Sequence, residues 1–226
     1  MNSRGFANII LVIAVVILIA IGSYFVLVKK PILTKPETRT QIPSPIIEKS
    51  NQVIISQVGN DFFEKYISLN KPSSKHYEAD NYCIKNPSSC SKFLQKPHYL
   101  MVYTLKISEK PFVNGTIEFA VDDNGDLITE RGTSGIPSCL KKPIECDFSI
   151  DEAKAITIAQ GAGLEKGIKN WKTSFNWYAG DLKKYVWTVQ NTLSEDKREG
   201  SSGGKAMVID ANTGKVIEIT GWSAIP

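Results

Sequence analysis

The chain has 226 residues, of which 42% are hydrophobic, and it carries 27 lysines and arginines against 23 aspartates and glutamates. This length allows one or two domains of ordinary size. Outside the first 30 residues the balance is 24 basic against 23 acidic residues, and no basic cluster is interleaved with aromatic residues. The composition therefore argues against a nucleic acid as partner.

The first predicted element is a transmembrane helix within residues 1–30. Residues 9–28 form an apolar run without charge, and Lys29 and Lys30 follow it. About 20 apolar residues at about 1.5 Å each span the hydrocarbon core of a bilayer. A cleaved signal peptide with a site at Ala20-Ile21-Gly22 is the alternative. We expect a single-pass membrane protein, in which the helix makes the membrane a partner.

A proline-rich stalk is predicted for residues 31–50, because four prolines and few bulky residues make a regular element unfavourable. The first α+β module is then predicted for residues 51–132. Its elements are a helix over 52–69, a strand over 99–107, and a hairpin of strands 115–121 and 126–129 around Asn124-Gly125.

Four cysteines form two pairs of the same spacing, Cys83 with Cys90 and Cys139 with Cys146. Pairing of neighbours is the simplest of three connectivities, and each loop closure stabilises by about 2–3 kcal/mol in the chain-entropy model. Six intervening residues are long for a structural zinc site, and redox chemistry favours two, so these remain weaker alternatives. Disulfides indicate an oxidising compartment. Although Lys29 and Lys30 alone would place the following segment in the cytoplasm, we expect the C-terminal region to be extracytoplasmic.

Residues 133–147 are predicted to connect the first module to a second one over residues 148–226. A capping box at Ser149 and Glu152 predicts a helix from about 150 to 161. Residues 194–204 are predicted to form a flexible loop. Strands are predicted over 171–178, 184–192, 205–210 and 215–220. The fold class is therefore α+β, with a helix packed on an antiparallel sheet in each half and a repeated hairpin.

The second half resembles the PepSY domain. The resemblance covers about residues 148–222 and rests on the helix start at 149–153, the strand around Val186-Trp187 and the turn at 210–215. The first half resembles the same domain more weakly and differs from it by the cysteine-bearing insertion. The resemblance implies an extracytoplasmic binding module linked to protease inhibition or surface regulation, and it implies no catalytic residue.

The N-terminus is similar to a type IV prepilin leader, through Ser3-Arg4-Gly5-Phe6 before the apolar run. Such leaders place Glu five residues into the mature chain, where this sequence has Ile10. Because of the leader-like residues, a pilin-like envelope subunit is the alternative function, and the missing Glu makes it the less favoured one. A mature N-terminus at Phe6 in mass spectrometry would favour it.

No residue pattern predicts an enzyme, a metal site or a cofactor. His76 and His98 are the only histidines, and neither has metal-ligand spacing; an enzyme with an unrecognised site is the least favoured alternative. A dense group of aromatic residues instead predicts a surface for a protein or peptide partner, because Trp and Tyr dominate binding hot spots. Ordinary core packing is the alternative for these residues, which are Trp171, Trp177, Tyr178, Tyr185 and Trp187.

Overall fold

The fold consists of two antiparallel sheets, each preceded in the chain by a helix. The computed structural model describes residues 41–178, 182–196, 198 and 200–224. Three short 3-10 turns occur at Pro87–Ser89, Lys92–Gln95 and Pro143–Cys146. The helices and strands are α1 (Ser44–Val58), α2 (Asn60–Tyr66), β1 (Ile67–Leu69), β2 (Lys75–Tyr77), α3 (Asn81–Lys85), β3 (His98–Lys106), β4 (Asn114–Val121), β5 (Thr133–Ser134), α4 (Glu152–Gly161), β6 (Lys172–Tyr178), β7 (Lys184–Gln190), β8 (Ser194–Asp196), β9 (Ser201–Asp210) and β10 (Val216–Ala224).

Each sheet has five strands, four of which form a meander in chain order. The first sheet has the order β1-β3-β4-β5, with β2 also pairing with β3. The second has the order β10-β9-β7-β6, with β8 also pairing with β9. The fifth strand joins the second strand of the meander in the first sheet and the third strand in the second sheet. The two antiparallel sheets, each following a helix, confirm the predicted α+β class.

The first helix begins earlier than the sequence predicts. Proline in the first helical turn removes no intrahelical hydrogen bond, so Pro45 is compatible with a helix that starts at Ser44, inside the predicted stalk. The single helix predicted over 52–69 is wrong, because Gly59 at φ 87° separates α1 from α2 and the chain is already extended at Ile67.

The helix α1 packs on the inner face of the first sheet. Its buried residues, Ile46, Ser50, Ile54 and Val58, recur every four positions and therefore line one face. On the sheet, the buried residues that alternate inward include Met101, Tyr103, Leu105, Ile117 and Phe119.

In each half a tight turn contacts the helix. The Asp122 carboxylate accepts from the backbone N–H groups of Asn124 and Asp126. Asp126 in turn pairs with Lys49 of α1 at 3.0 Å. Only the isolated bridge between Val121 and Leu127 follows this turn, so the regular second strand predicted over 126–129 is absent.

The second turn repeats this arrangement. The Asp210 carboxylate accepts from the N–H groups of Asn212 and Thr213, and Gly214 has φ 72°. A Cβ atom at Gly214 would lie 2.9 Å from Ile158 of α4, so the turn is closely packed against the helix. The equivalent turns support the predicted internal repeat.

The helix α4 is capped by a different residue from the one predicted. Asp151 is the N-cap, and its carboxylate accepts from the N–H of Lys154. Ser149 instead donates its hydroxyl hydrogen to the carbonyl of Asn212 in the neighbouring turn. The helix therefore begins at Glu152, two residues later than predicted.

The flexible loop predicted over 194–204 is partly strand. Residues 194–196 form β8, and 201–204 are the start of β9. Gly204 permits this because a Cβ atom there would lie 2.1 Å from the carbonyl oxygen of Asn191. Its missing side chain thus allows a close backbone approach that composition alone does not reveal.

The predicted transmembrane helix at residues 9–28 lies outside the described residues. Among the residues that are described, no helix is both long enough and apolar enough to span a bilayer.

Candidate interaction surfaces

Two of the five predicted partner-binding aromatics belong to the core. Tyr185 and Trp187 are only 2% and 3% exposed, because strand alternation directs both side chains inward from β7. The Tyr185 hydroxyl donates to the Gly135 carbonyl at 2.9 Å, and Trp187 Nε1 donates to the Ile150 carbonyl at 2.7 Å. The prediction that these two side chains face a partner is corrected to core packing.

These aromatics join the two halves of the folded unit. The ring of Phe112, from the turn between β3 and β4, lies 5.7 Å from Phe175 and 5.5 Å from Trp187 between centroids. Phe175 stacks on Tyr185 at 5.1 Å. The aromatic cluster of the second half therefore packs against the first half of the same chain.

The contact depends on two glycines that sequence reasoning missed. A Cβ atom at Gly115 would lie 2.5 Å from the hydroxyl of Tyr185. At Gly135, φ is +80° and a Cβ atom would lie 2.1 Å from the carbonyl oxygen of Thr116. Gly115 interrupts the alternating pattern of β4, and this was the available signal, since a glycine in a strand often marks the close approach of another part of the protein.

Burial raises the pKa of Tyr185 above its ordinary value, because desolvation disfavours the phenolate. The hydroxyl is therefore protonated at neutral pH and can donate to Gly135. Tyr103 shows the same effect in the first half, where burial raises its pKa and its hydroxyl donates to Asn51 at 2.8 Å.

The other three predicted aromatics reach solvent in part. Trp171 and Trp177 are half-buried against the core, and the Trp177 ring lies 5.1 Å from Tyr185. Tyr178 lies on the opposite face of β6, with its hydroxyl 3.4 Å from the Glu218 carboxylate. Of the five predicted aromatics, these three remain candidates for contact with a partner.

The cysteines form the two local disulfides that the sequence predicts, Cys83–Cys90 and Cys139–Cys146. This pairing excludes a four-cysteine zinc site in the oxidised chain. We name residues 83–90 the first cysteine loop and residues 139–146 the second cysteine loop. Each displays apolar side chains that are at least half exposed: Ile84 (51%), Leu140 (60%) and Ile144 (50%).

Different contacts hold the two cysteine loops to the fold. Asp80 caps α3, accepting from the N–H groups of Tyr82 and Cys83. In the second loop, the N–H of Leu140 donates to the carbonyl of Gln57 in α1 at 2.9 Å. The loops are thus fixed at the surface and present their apolar side chains in defined positions.

The two histidines contact aromatic and acidic side chains. His98 is buried between Tyr77, which stacks on it at 5.5 Å, and Phe93. His76 lies 3.5 Å from both Glu78 and Asp123. Within the described ranges, no group of three or more histidine, cysteine or acidic residues is arranged to hold a metal ion.

No family model matches the chain, and no curated protein matches it.

Proposed function

We propose that the chain is a membrane-anchored, extracytoplasmic binding or regulatory protein. The observation that carries the proposal is the closure of all four cysteines into two local disulfides, because disulfides persist in oxidising compartments. Residues 9–28 would supply the anchor, and residues 31–43 would connect it to α1.

The two cysteine loops are the surface we propose for the partner. Loops held on a rigid scaffold commonly carry binding function, and a disulfide reduces the entropy lost when a loop is ordered on binding. Ile84, Leu140 and Ile144 would supply apolar contact area. The resemblance of residues 148–222 to the PepSY domain supports a protease or another envelope protein as the partner class.

Proteolysis of intact cells tests the location. A protease that cannot cross the membrane should cut the chain between residues 31 and 43 and release the folded unit with both disulfides intact. Cleavage only after the cells are permeabilised would refute the extracytoplasmic location.

Photo-crosslinking in cells tests the binding surface. A benzophenone amino acid at Leu140 or Ile84 should give a discrete adduct with one protein. Ile168, which is 62% exposed and lies outside both loops, provides the matched control position. The same adducts at Ile168, or none at the loop positions, would refute the proposed surface.

A further inference from the structure

One sheet edge is long and unprotected, unlike the others. The edges of the first sheet are formed by β1 and β2, of three residues each, and by β5, of two residues. In the second sheet, the edge strand β6 begins with Lys172 and lies against β4. The edge strand β10 has nine residues, with no charge from Ile219 to Ala224. Natural sheets shorten or charge their edges to prevent pairing, and β10 lacks both devices over this stretch.

The hydrogen bonds of the neighbouring strand β9 determine which backbone groups of β10 point away from the sheet. The Gly203 and Lys205 carbonyls accept from Leu193 and Asn191, on the side of β9 away from β10. Because these directions alternate along a strand, the intervening residues of β9 face β10.

Ala206 is one of those residues, and it pairs with Thr220. Thr220 therefore directs its N–H and C=O groups towards β9, and its neighbours Ile219 and Gly221 direct theirs outward. No described strand pairs with this outer side of β10.

We propose that β10 pairs antiparallel with β10 of a second copy of this chain, with Thr220 opposite Thr220 on the two-fold axis. In this register Ile219 of each copy lies opposite Gly221 of the other, and these are the residues whose backbone groups point outward. The pairing would join two second sheets into one continuous sheet, with the same surface contributed by both copies.

The side chains of β10 are complementary to themselves in this register. Ile219 is 52% exposed, and the absence of a side chain at Gly221 leaves room for it. The Glu218 carboxylates lie opposite Trp222 rather than opposite each other, which avoids a like-charge pair. Thr220 with Thr220 is itself a favourable cross-strand pair. This complementarity favours a second copy over an unrelated peptide.

Cysteine crosslinking of the full chain in isolated membranes tests this pairing. Thr220→Cys introduces the only free thiol, because the native cysteines are closed in disulfides. Thr220 occupies a non-hydrogen-bonded pair in the proposed register, where side chains approach closely. Mild oxidation should give a covalent dimer on a non-reducing gel.

The matched control is Ser223→Cys, which lies on the same strand but opposite Ile217 in the proposed register. It should give no dimer. Adding Ile219→Lys to the Thr220→Cys chain should abolish the dimer band, whereas adding Ile168→Lys, at an exposed position (62%) outside β10, should leave it.

Three outcomes would overturn the inference. No dimer with Thr220→Cys would exclude pairing of two copies. Dimer with Ser223→Cys in place of Thr220→Cys would exclude this register. An adduct of Thr220→Cys with a different protein would identify another occupant of the edge. None of these outcomes bears on the cysteine loops or on the membrane anchor.

Discussion

At the scale of the residue, Gly115 of the first half packs closely against Tyr185 of the second half. Gly115→Ala should lower the free energy of unfolding by about 1–3 kcal/mol, because the new methyl group would lie within 2.5 Å of the tyrosine hydroxyl. Tyr185→Phe should cost about 1–2 kcal/mol, since the buried Gly135 carbonyl loses its donor. Urea denaturation measures both effects.

The double variant distinguishes this contact from two independent effects. Because the hydroxyl is the atom nearest to the added methyl group, the double variant should be less destabilised than the sum of the single variants. Additive costs would contradict the contact. Tyr82→Phe, at a position that is 63% exposed, is the control and should leave stability unchanged.

Asp210 makes stability depend on pH. Burial alone would raise its pKa, but hydrogen bonds from Lys184, at 2.7 Å, and from the N–H groups of Asn212 and Thr213 outweigh burial and lower it. Because the pKa of Asp210 is lower in the folded chain than in the unfolded chain, its ionised form stabilises the fold. This stabilisation is fully present above the pKa of an unfolded aspartate, about 3.9, and is lost as the pH falls through the pKa of the folded carboxylate.

Asp210→Asn should therefore cost about 1.5–3 kcal/mol at pH 7, the range for hydrogen bonds to charged groups. The difference between the wild-type chain and the variant should begin to shrink as the pH falls below about 4, where Asp210 of the unfolded chain becomes protonated, and should disappear only below the lower pKa of the folded carboxylate. Urea denaturation at several pH values measures this difference. A difference that stays constant down to the lowest pH would contradict the role of the Lys184 pair.

At the scale of the element, each disulfide closes a short surface loop. Replacing Cys83 and Cys90 with serine should cost about 2–3 kcal/mol, by the loop-closure entropy restored to the unfolded chain. The same change at Cys139 and Cys146 should cost a similar amount, because both pairs have a sequence separation of 7. Thermal unfolding measures both costs. A destabilisation well above this range at either pair would show that the loop also supports the fold through its contacts.

At the scale of the whole molecule, one core connects both sheets. The described residues form a single compact unit, and Phe112 from the first half packs against aromatics of the second. The two halves should therefore unfold in one cooperative transition. Hydrogen exchange should show that Phe112→Ala weakens protection in both β4 and β7, whereas Ile168→Ala, at an exposed control position, should weaken neither. Loss of protection confined to one sheet would contradict a shared core.

The sequence predicts the repeated unit well where local signals are strong. Alternating apolar strands and the Asp-Asn-Gly turns give the two antiparallel sheets, and equal cysteine spacing gives the disulfides. Prediction from the sequence fails where contacts between residues far apart in the chain determine the structure. The inward position of Tyr185 and Trp187 depends on Phe112 and Gly115, which lie far away in the chain, so the aromatic cluster resembles a binding surface in sequence. The early start of α1 and the strand at 201–204 likewise depend on tertiary contacts that override local propensity.

Non-reducing peptide mapping of the protein purified from its native membrane tests the central claim most directly. The account predicts Cys83 linked to Cys90 and Cys139 linked to Cys146, together with a peptide that retains the apolar run at residues 9–28. Four free thiols would contradict it, because the folded unit would then lie in a reducing compartment, as the charges of Lys29 and Lys30 alone would indicate.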